Sequence, residues 1–405
     1  MASLLLIISL FGVIASLVYY AGATVAALRF ARRTETALSP LPKIVPRVAI
    51  LKPLHGLSAK LFEDIVSFLE LDYPRKEFLF GVSDYHDPAA EVPVALKPRY
   101  QTQEVKLVVG EEPNSANHKV GKLVKMVERA PKAEIFALSD DDVAVERDHL
   151  RRLVTEISAD EKIGIVTCAY RAKALGGFAS RLEASYVNTD FAPMTLLSEA
   201  LEPMRHAFGA AIAIRREALE AIGGFAVLKD KLADDFYLGR MVSDRGYKVK
   251  FSSSVVTLTC EETRFSEFWH HQLRWARTYR TIRPESLATI LINGPLWALL
   301  LMIASGFSLF SLGMLAGVIA GRIAMSAVAV GVALRTPEAL SDLWIVPLKD
   351  LLMAGIWFAS LVSNEIDWSG RRYRLLAGGR MEEIRDESEP SPAVPQATEV
   401  KFKAD

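Results

Sequence analysis

The chain has 405 residues, of which 51% are hydrophobic, and its formal net charge at pH 7 is zero. A zero net charge gives no support to nucleic-acid binding, whose usual footprint is a basic stripe. The two cysteines, Cys168 and Cys260, are too few for a disulfide framework and indicate buried thiols in a reducing compartment. Because the hydrophobic residues gather at the two ends, the composition predicts a globular domain tethered to a membrane.

The first predicted element is a membrane helix within an N-terminal anchor of residues 1–33. The run Ser3–Leu28 carries no charge, and at about 1.5 Å per residue it is long enough to cross a hydrocarbon core of about 30 Å. Three arginines follow it between residues 29 and 33, whereas a cleaved signal peptide carries positive charge before its apolar stretch. By the positive-inside rule, these arginines predict that the following domain, residues 43–286, is cytoplasmic. With the apolar runs near the C-terminus, the anchor predicts a multi-pass integral membrane protein, which would lie in the inner membrane if the organism is bacterial.

The middle of the chain alternates short β-rich runs with longer helical runs. This alternation predicts an α/β fold with a mostly parallel sheet and crossover helices. In such sheets, ligands bind outside the carboxyl ends of the strands, so polar residues just past a strand are the first candidates for a site. The predicted strands are Val48–Lys52, Phe78–Val82, Val105–Val109, Ile135–Leu138 and Ile163–Cys168, and the predicted helices are Ala59–Leu71, Ala116–Ala130 and His149–Ser158.

Three aspartates, Asp140, Asp141 and Asp142, follow the fourth predicted strand. Like charges packed this closely repel one another and need a cation or several hydrogen-bond donors to compensate them. Oxygen-only ligands suit Mg²⁺ or Mn²⁺. In an extended chain Asp140 and Asp142 point to the same side, so we predict that this pair holds a metal and that Asp141 faces away. A solvated acidic turn is the alternative.

Other polar residues lie near the ends of predicted elements. Asp84 follows the second strand and could accept hydrogen bonds from a nucleoside. Asn117 and Lys119 begin a helix, where backbone N–H groups and a lysine could meet phosphate. A second acidic pair, Asp234 and Asp235, begins another helix, where acidic residues often do no more than cap the helix.

A basic, aromatic helix is predicted in FWHHQLRWARTYR, where the chain approaches its C-terminal apolar runs. It carries His271, Gln272, Arg274 and Trp275. This composition is typical of an interfacial anchor. The same residues could also hold a diphosphate and a lipid head group, because arginine binds phosphate in a fork and tryptophan packs on apolar chains or sugar faces.

Membrane helices are predicted for residues 287–375, in three apolar runs. A proline, a lysine and an aspartate interrupt the third run, so we interpret it as an interfacial or re-entrant helix and the first two as crossings. Residues 380–405 are acidic and then rich in Pro, Ser and Ala, which is typical of a disordered tail. The three runs are Ile290–Phe310, Leu312–Leu334 and Leu343–Val362.

From Val48 to Arg374 the sequence resembles the ceramide glucosyltransferase family, which is family 21 of the inverting GT-A-type glycosyltransferases and belongs to the family 2 clan. The segments LKPLHG and LDYP are similar to segments of that family. His271 departs from its (Q/R)xxRW motif, and the full DxD sequence is longer than the form in eukaryotic relatives. The motif positions that match are the three signature aspartates, at Asp84, Asp140 and Asp235, and the terminal Arg-Trp, at Arg274 and Trp275.

The resemblance implies a GT-A-like domain that uses a UDP-sugar and inverts the anomeric carbon of the sugar. The favoured reaction transfers glucose from UDP-glucose to the primary hydroxyl of ceramide; another lipid such as a hopanoid, with UDP-N-acetylglucosamine or another UDP-sugar, is the alternative. A non-catalytic membrane protein and a processive polysaccharide synthase fit less well, because all the carboxylates are present and the spans are few. The implied roles are general base for Asp235, nucleotide-sugar binding for Asp84, Asn117, Lys119 and Asp140, metal binding for Asp140 and Asp142, and acceptor or diphosphate contact for His271, Gln272, Arg274 and Trp275.

Overall fold

The computed structural model describes residues 2–34, 40–368 and 370–384. An α/β domain packs against a layer of apolar helices formed by both ends of the chain. Helices α1 to α13 are Ala2–Thr34, Leu61–Leu69, Glu91–Leu96, His118–Glu128, His149–Ser158, Phe178–Tyr186, Ala192–Leu201, Arg216–Ala221, Asp234–Asp244, Phe265–Ile282, Gly294–Ala304, Leu309–Val328 and Val346–Ser360. Strands β1 to β11 are Val48–Pro53, Lys76–Val82, Val105–Val109, Ile135–Ser139, Val143–Ala144, Ile163–Ala174, Ala211–Arg215, Lys248–Cys260, Glu365–Trp368, Arg371–Leu375 and Met381–Glu383.

The main sheet has eight strands in the order β3-β2-β1-β4-β7-β6-β8-β5. Neighbouring strands are parallel within the block β3-β2-β1-β4, and β6 is parallel to β8. Strand β7 is antiparallel to both β4 and β6, and β5 is antiparallel to β8. The fully buried β1 and β4 read as continuous apolar runs, which is typical of central strands covered on both faces. The predicted α/β class with a mostly parallel sheet is confirmed.

All five predicted strands and all three predicted helices are observed, with shifts of a few residues at their ends. The largest shift is at β6, which continues past the predicted end at Cys168 to Ala174. Strands β7 and β8 were not predicted. Strand β7 is short and rich in alanine, and β8 contains three consecutive serines, so neither has the composition of a typical strand. Cys168 and Cys260 are both free and buried, as predicted.

Helix α1 is part of the domain core as well as a membrane-spanning candidate. Ala26, Ala27 and Phe30 are buried in the same hydrophobic cluster as the β-sheet, and the Phe30 and Phe251 ring centroids lie 5.8 Å apart. The N-terminal half of α1 packs instead on α11 and α12. The predicted anchor is therefore continuous with the domain that it carries.

Within the described residues, three helices are long and apolar enough to cross a membrane by length and composition: Ser3–Thr34, Leu309–Ala333 and Pro337–Ser360. The first C-terminal apolar run is broken instead, because a short 3-10 helix, Pro284–Ile292, meets α11 at an angle of 58°. Asn293 lies at the bend, where its side chain accepts a hydrogen bond from Leu296 N at 3.2 Å. The bend thus lies in the first run, whereas the third run, interpreted as interfacial or re-entrant from its sequence, is part of a helix long and apolar enough to cross a membrane by length and composition.

The charged residues in the third run do not interrupt it, because each has a buried partner. Lys349 Nζ lies 2.8 Å from Asp350 Oδ1, and Arg322 Nε lies 2.8 Å from Asp350 Oδ2. Asp190, from a short π-helical turn between α6 and α7, contacts both Lys349 and Arg322. Two cations and two carboxylates thus compensate one another where the membrane helices meet the domain, which makes charges inside an apolar helix acceptable.

The end of the chain departs from the predicted boundaries. Strands β9 to β11 form a separate antiparallel sheet, so the membrane-helix region does not extend to residue 375. Ile366 and Tyr373 of this small sheet pack on Leu232, close to the start of α9. Residues 381–383 are the last strand of this sheet, Arg380 forms an isolated bridge with Lys231, and residues 385–405 of the predicted tail lie outside the described residues.

Candidate active site

A cavity of about 1250 Å³ lies at the carboxyl ends of the parallel strands and extends to the membrane helices. The loops that follow parallel strands are not paired within the sheet, so their side chains are free to bind ligands at this edge. Asn117 and Gln272 do not line this cavity. The predicted site residues that do are Asp84, Lys119, Asp140, Asp142, Asp235, His271, Arg274 and Trp275.

The three consecutive aspartates form a turn after β4 and are not extended, so Asp141 also lines the cavity. The prediction that Asp141 faces away is therefore wrong. The reason is Lys52, a fully buried residue of β1 that lies beneath the turn. Its Nζ donates to the carbonyl oxygens of Asp140 at 2.5 Å and Val143 at 3.2 Å, which holds the turn in place.

The acidic turn fits a divalent cation. Asp142 Oδ1 is buried and has no hydrogen-bond partner among the described residues. Burial and the adjacent Asp140 raise the pKa of Asp142 well above its usual value, which reflects the accumulated negative charge. A hard cation would relieve this repulsion with the oxygen ligands that Mg²⁺ and Mn²⁺ prefer. That Asp140 and Asp142 are the ligands of such an ion stays a prediction.

Lys119 connects the two acidic groups of the site. Its Nζ lies 2.6 Å from Asp140 Oδ1 and 3.5 Å from Asp234 Oδ2. Burial lowers the pKa of Lys119, but the two carboxylates outweigh burial and raise that pKa above its usual value. The ammonium group is therefore a permanent cation at the wall of the cavity.

Asn117 has a different role from the predicted one. Its Oδ1 accepts a hydrogen bond from Val120 N at 3.1 Å, which makes it the N-cap of α4. Its Nδ2 donates to the Lys231 carbonyl at 2.8 Å and contacts Asp234 Oδ1 at 3.4 Å. Because the side chain is fully buried by these contacts, it holds α4 and the loop before α9 in place and does not reach the cavity.

Asp235 lies at the start of α9 and is held by backbone groups. Its Oδ2 accepts from Gly209 N and its Oδ1 from Phe236 N, both at 2.7 Å. Burial and the adjacent Asp234 raise the pKa of Asp235 to about 7. A carboxyl group with a pKa near the working pH, fixed at the wall of a cavity, is suited to general base catalysis.

Gly209 is a site residue that the sequence did not reveal. A methyl group at its Cα would lie 3.2 Å from Asp235 Oδ2 and 3.4 Å from Asp140 Oδ2. The glycine therefore allows the carboxylates of Asp140 and Asp235 to face the same point. No periodic pattern marks such a residue, because the need for a small side chain comes from distant parts of the chain.

We expect Gly209→Ala to lower turnover by about ten- to a hundredfold, because the added methyl group displaces a carboxylate and misplaced catalytic groups lose rate steeply. Steady-state kinetics of the purified protein would measure this loss. Gly176→Ala is the matched control, because nothing lies within 4 Å of a methyl group at that position. Equal turnover for both variants would show that Asp140 and Asp235 do not act at a common point.

Arg274 and Trp275 lie on α10 at the cavity wall. The Arg274 guanidinium makes no ion pair or hydrogen bond with any described side chain or carbonyl, although burial lowers its pKa to about 10 and the group remains a cation at neutral pH. The Trp275 ring packs against Tyr186 and Phe191, with centroids 5.9 Å apart in each case. A partly buried cation without a partner favours a site for an anionic ligand over a purely interfacial anchor.

The part of the cavity that faces the membrane is lined by side chains that the sequence did not identify. They come from the apolar helices, from α7 and from the bent segment before α11. The ion-paired Arg322 and Asp350 also line this part, and the small C-terminal sheet adds Trp368 and Arg371. Its aromatic and aliphatic members include Tyr19, Met194, Ile290, Met353 and Trp357.

The sequence is similar to those of known proteins. The family described as "Glycosyl transferase family 21" matches residues 6–381. "Ceramide glucosyltransferase 3" of Caenorhabditis elegans is 25% identical over 345 residues, which cover 83% of this chain and 74% of that protein. "Ceramide glucosyltransferase 1" of the same organism is 23% identical over 373 residues, 90% of this chain and 78% of that protein.

Among solved structures, the chain is similar to a mannosyltransferase, PcManGT from Pyrobaculum calidifontis, in complex with GDP-Man and Mn²⁺. The TM-score is 0.48 and the identity 20%, and the match covers 85% of this chain and 99% of that one. The family match is far broader than any single motif, because it includes the membrane helices on both sides of the domain. The chain therefore belongs to glycosyl transferase family 21 and is a sugar-nucleotide-dependent glycosyltransferase.

Proposed function

We propose that this protein transfers glucose from UDP-glucose to the primary hydroxyl of ceramide, with inversion at the anomeric carbon. The observation that supports this most is the continuous cavity, which has carboxylates and cations at the strand ends and, where it reaches the membrane helices, aromatic and aliphatic side chains beside the Arg322–Asp350 ion pair. A cavity of this kind suits a donor that is charged and an acceptor that is an amphipathic lipid. The names of the relatives favour ceramide as that lipid and glucose as the sugar.

The charged end of the cavity is the proposed donor site. Asp84 follows β2 and lines the cavity, where it would accept hydrogen bonds from the nucleoside. Lys119 and Arg274 would contact the diphosphate, because both are cations at the cavity wall. A Mg²⁺ or Mn²⁺ ion held by Asp140 and Asp142 would neutralise charge on the diphosphate leaving group.

The apolar end of the cavity is the proposed acceptor site. Its lining includes Met353 and Trp357 of α13 and Ile290 of the bent segment, all from the membrane-facing layer. A lipid bound there would keep its chains among the membrane helices and present its head group to the carboxylates. We also propose that the α/β domain is cytoplasmic, since Arg32 and Arg33 end α1 at the side of the domain.

The proposed reaction is a single displacement. The lipid hydroxyl oxygen forms a bond to the anomeric carbon while the bond from that carbon to the diphosphate oxygen breaks, and the hydroxyl proton moves to Asp235. Asp235 is the proposed base because both its oxygens are fixed by backbone N–H groups at the cavity wall. Arg274 stabilises the negative charge that develops on the leaving diphosphate.

The substrates are tested by incubating the purified protein with UDP-glucose or UDP-N-acetylglucosamine in liposomes that contain ceramide or a hopanoid. Mass spectrometry of the extracted lipids identifies the product. We expect glucosylceramide as the fastest-formed product. Preferential modification of the hopanoid, or use of N-acetylglucosamine, would keep the reaction type but replace the proposed substrates.

The metal site gives a separate prediction. We expect a chelator to weaken binding of UDP-glucose and to lower turnover, because the diphosphate then meets the aspartates without a cation between them. In Asp142→Ala the dependence of donor binding on added Mg²⁺ or Mn²⁺ should be largely lost. Calorimetric titration with and without metal measures this, and donor binding that is unaffected by the chelator would contradict the metal assignment.

A further inference from the structure

A second cluster of ionisable side chains lies where helix α6, the end of β8 and helix α10 meet. Glu183 is on α6, Glu262 follows β8, and His271 is on α10. His271 Nδ1 lies 2.9 Å from Glu183 Oε1 and 3.7 Å from Glu262 Oε1. One oxygen or nitrogen atom from each of the three residues lies within 4.8 Å of the other two.

The charges of this cluster are not balanced by the protein. The Glu183 side chain is only 2% exposed and that of Glu262 is 17% exposed. Within the described part of the chain, neither carboxylate forms an ion pair with lysine or arginine, and a single imidazole faces both. Two neighbouring carboxylates with so little exposure to solvent favour a bound cation.

Two buried oxygen atoms of the cluster have no partner. Neither Glu183 Oε2 nor Glu262 Oε2 has a hydrogen-bond partner among the described residues. The other oxygen of Glu183 accepts from Gln272 Nε2 at 2.7 Å, which fixes the carboxylate. Such an outer hydrogen bond is what orients the ligands of a metal ion, whereas buried polar atoms left unpaired are otherwise rare.

We propose that Glu183, Glu262 and His271 bind a divalent transition-metal ion with the chemistry of zinc. A nitrogen ligand together with carboxylates suits zinc, whereas the oxygen-only aspartate turn suits Mg²⁺ or Mn²⁺. Ligand bonds of about 2.0–2.2 Å at tetrahedral angles place two ligand atoms about 3.4 Å apart. The observed separations of 2.9 Å and 3.7 Å bracket that value. A fourth position remains for water.

The proposed ion would fix the helix that carries the diphosphate-binding residues. It would join three elements through one ligand from each, and Arg274 lies one turn after His271 on the same helix. Without the ion, the negative charge of Glu183 attracts the Arg274 guanidinium. Neutralising that charge would leave the guanidinium to an anionic ligand. This inference is independent of which sugar and which lipid the protein uses.

The test measures metal content without any substrate. The full chain is purified in detergent, stripped with a chelator, dialysed against Zn²⁺ alone and analysed by mass spectrometry for bound zinc. We expect one zinc ion per chain. Loading with Co²⁺ instead should give the visible absorption of a tetrahedral site with a nitrogen ligand. A wild-type chain that retains no zinc after dialysis would overturn the proposal.

Variants locate the ion. His271→Gln should lose the bound zinc, and Glu262→Gln, a more exposed ligand whose replacement is less disruptive to folding, should weaken zinc binding at least tenfold. His270→Gln is the matched control, because this neighbouring histidine is exposed. Asp142→Asn controls for binding at the aspartate turn. Both controls should keep the wild-type stoichiometry, and loss of zinc from Asp142→Asn with retention in His271→Gln would overturn the proposal.

Discussion

Replacing Asp235 by asparagine should lower turnover by about 10² to 10⁴-fold while leaving donor affinity nearly unchanged. The lipid hydroxyl is almost fully protonated at neutral pH, so its attack needs an acceptor for the proton, and an amide cannot serve. The amide keeps the size of the side chain and can still accept from Gly209 N and Phe236 N. Single-turnover kinetics and calorimetric titration with UDP-glucose would separate the chemical step from binding.

Asp234→Asn is the matched control for this experiment. Asp234 contacts Lys119 and Asn117, so its loss should affect donor binding through the position of Lys119 more than the chemical step. If Asp234→Asn abolishes turnover and Asp235→Asn retains it, the base is Asp234. If neither variant is slower than the wild type, the single-displacement mechanism is wrong.

Replacing Arg274 by lysine should lower turnover by about 10² to 10³-fold, although the charge is kept. The reason is geometric, because an ammonium group cannot reproduce the two-pronged contact of a guanidinium with a diphosphate, and fixed donors to developing charge contribute strongly to catalysis. Since the diphosphate gains charge as the bond breaks, the loss should fall on kcat more than on KM for the donor. Initial rates over a range of UDP-glucose concentrations measure both.

Arg277→Lys tests whether position on the helix alone explains such a loss. Arg277 lies three residues further along α10, and its guanidinium donates to the Glu365 carbonyl outside the cavity. We expect this variant to keep most of its activity. Wild-type turnover in Arg274→Lys would mean that α10 is an interfacial anchor only.

The strand ends of the site could be predicted because two local signals agree. The runs before Asp84 and Asp140 are short, continuous and apolar, as in buried strands, and parallel strands bring their carboxyl ends to one edge. Both residues line the same cavity, although 56 residues of chain separate them. Here a local pattern and a rule of topology were sufficient.

Asn117 shows where local patterns are ambiguous. A polar residue at a helix N-terminus can cap the helix or contact a ligand, because the same free N–H groups serve both purposes. Its neighbour Lys119 reaches the cavity, whereas Asn117 is covered by the Lys231 carbonyl and Asp234. Those partners lie 114 and 117 residues away in the sequence. Periodicity does not reveal contacts of that range.

Lys52, Gly209 and the charges of α13 were misjudged or missed for the same reason. A lysine in an apolar strand and an aspartate in an apolar helix both look unfavourable until their partners are known. Lys52 is compensated by carbonyl groups 88 and 91 residues away, and Lys349 by Asp190, 159 residues away. Buried charges in an otherwise apolar element are thus better interpreted as signs of a distant partner than as breaks in the element.

The central claim is that one cavity holds both a sugar nucleotide and a membrane lipid, and that the sugar passes to a hydroxyl group of the lipid by direct displacement. The most direct test is the anomeric configuration of the product formed in nanodiscs that contain ceramide and UDP-glucose. Proton NMR of the purified glycolipid should show a β-glucoside, because a single displacement inverts the α-linked donor. An α-glucoside, or release of UDP and free glucose without any glycolipid, would contradict the account.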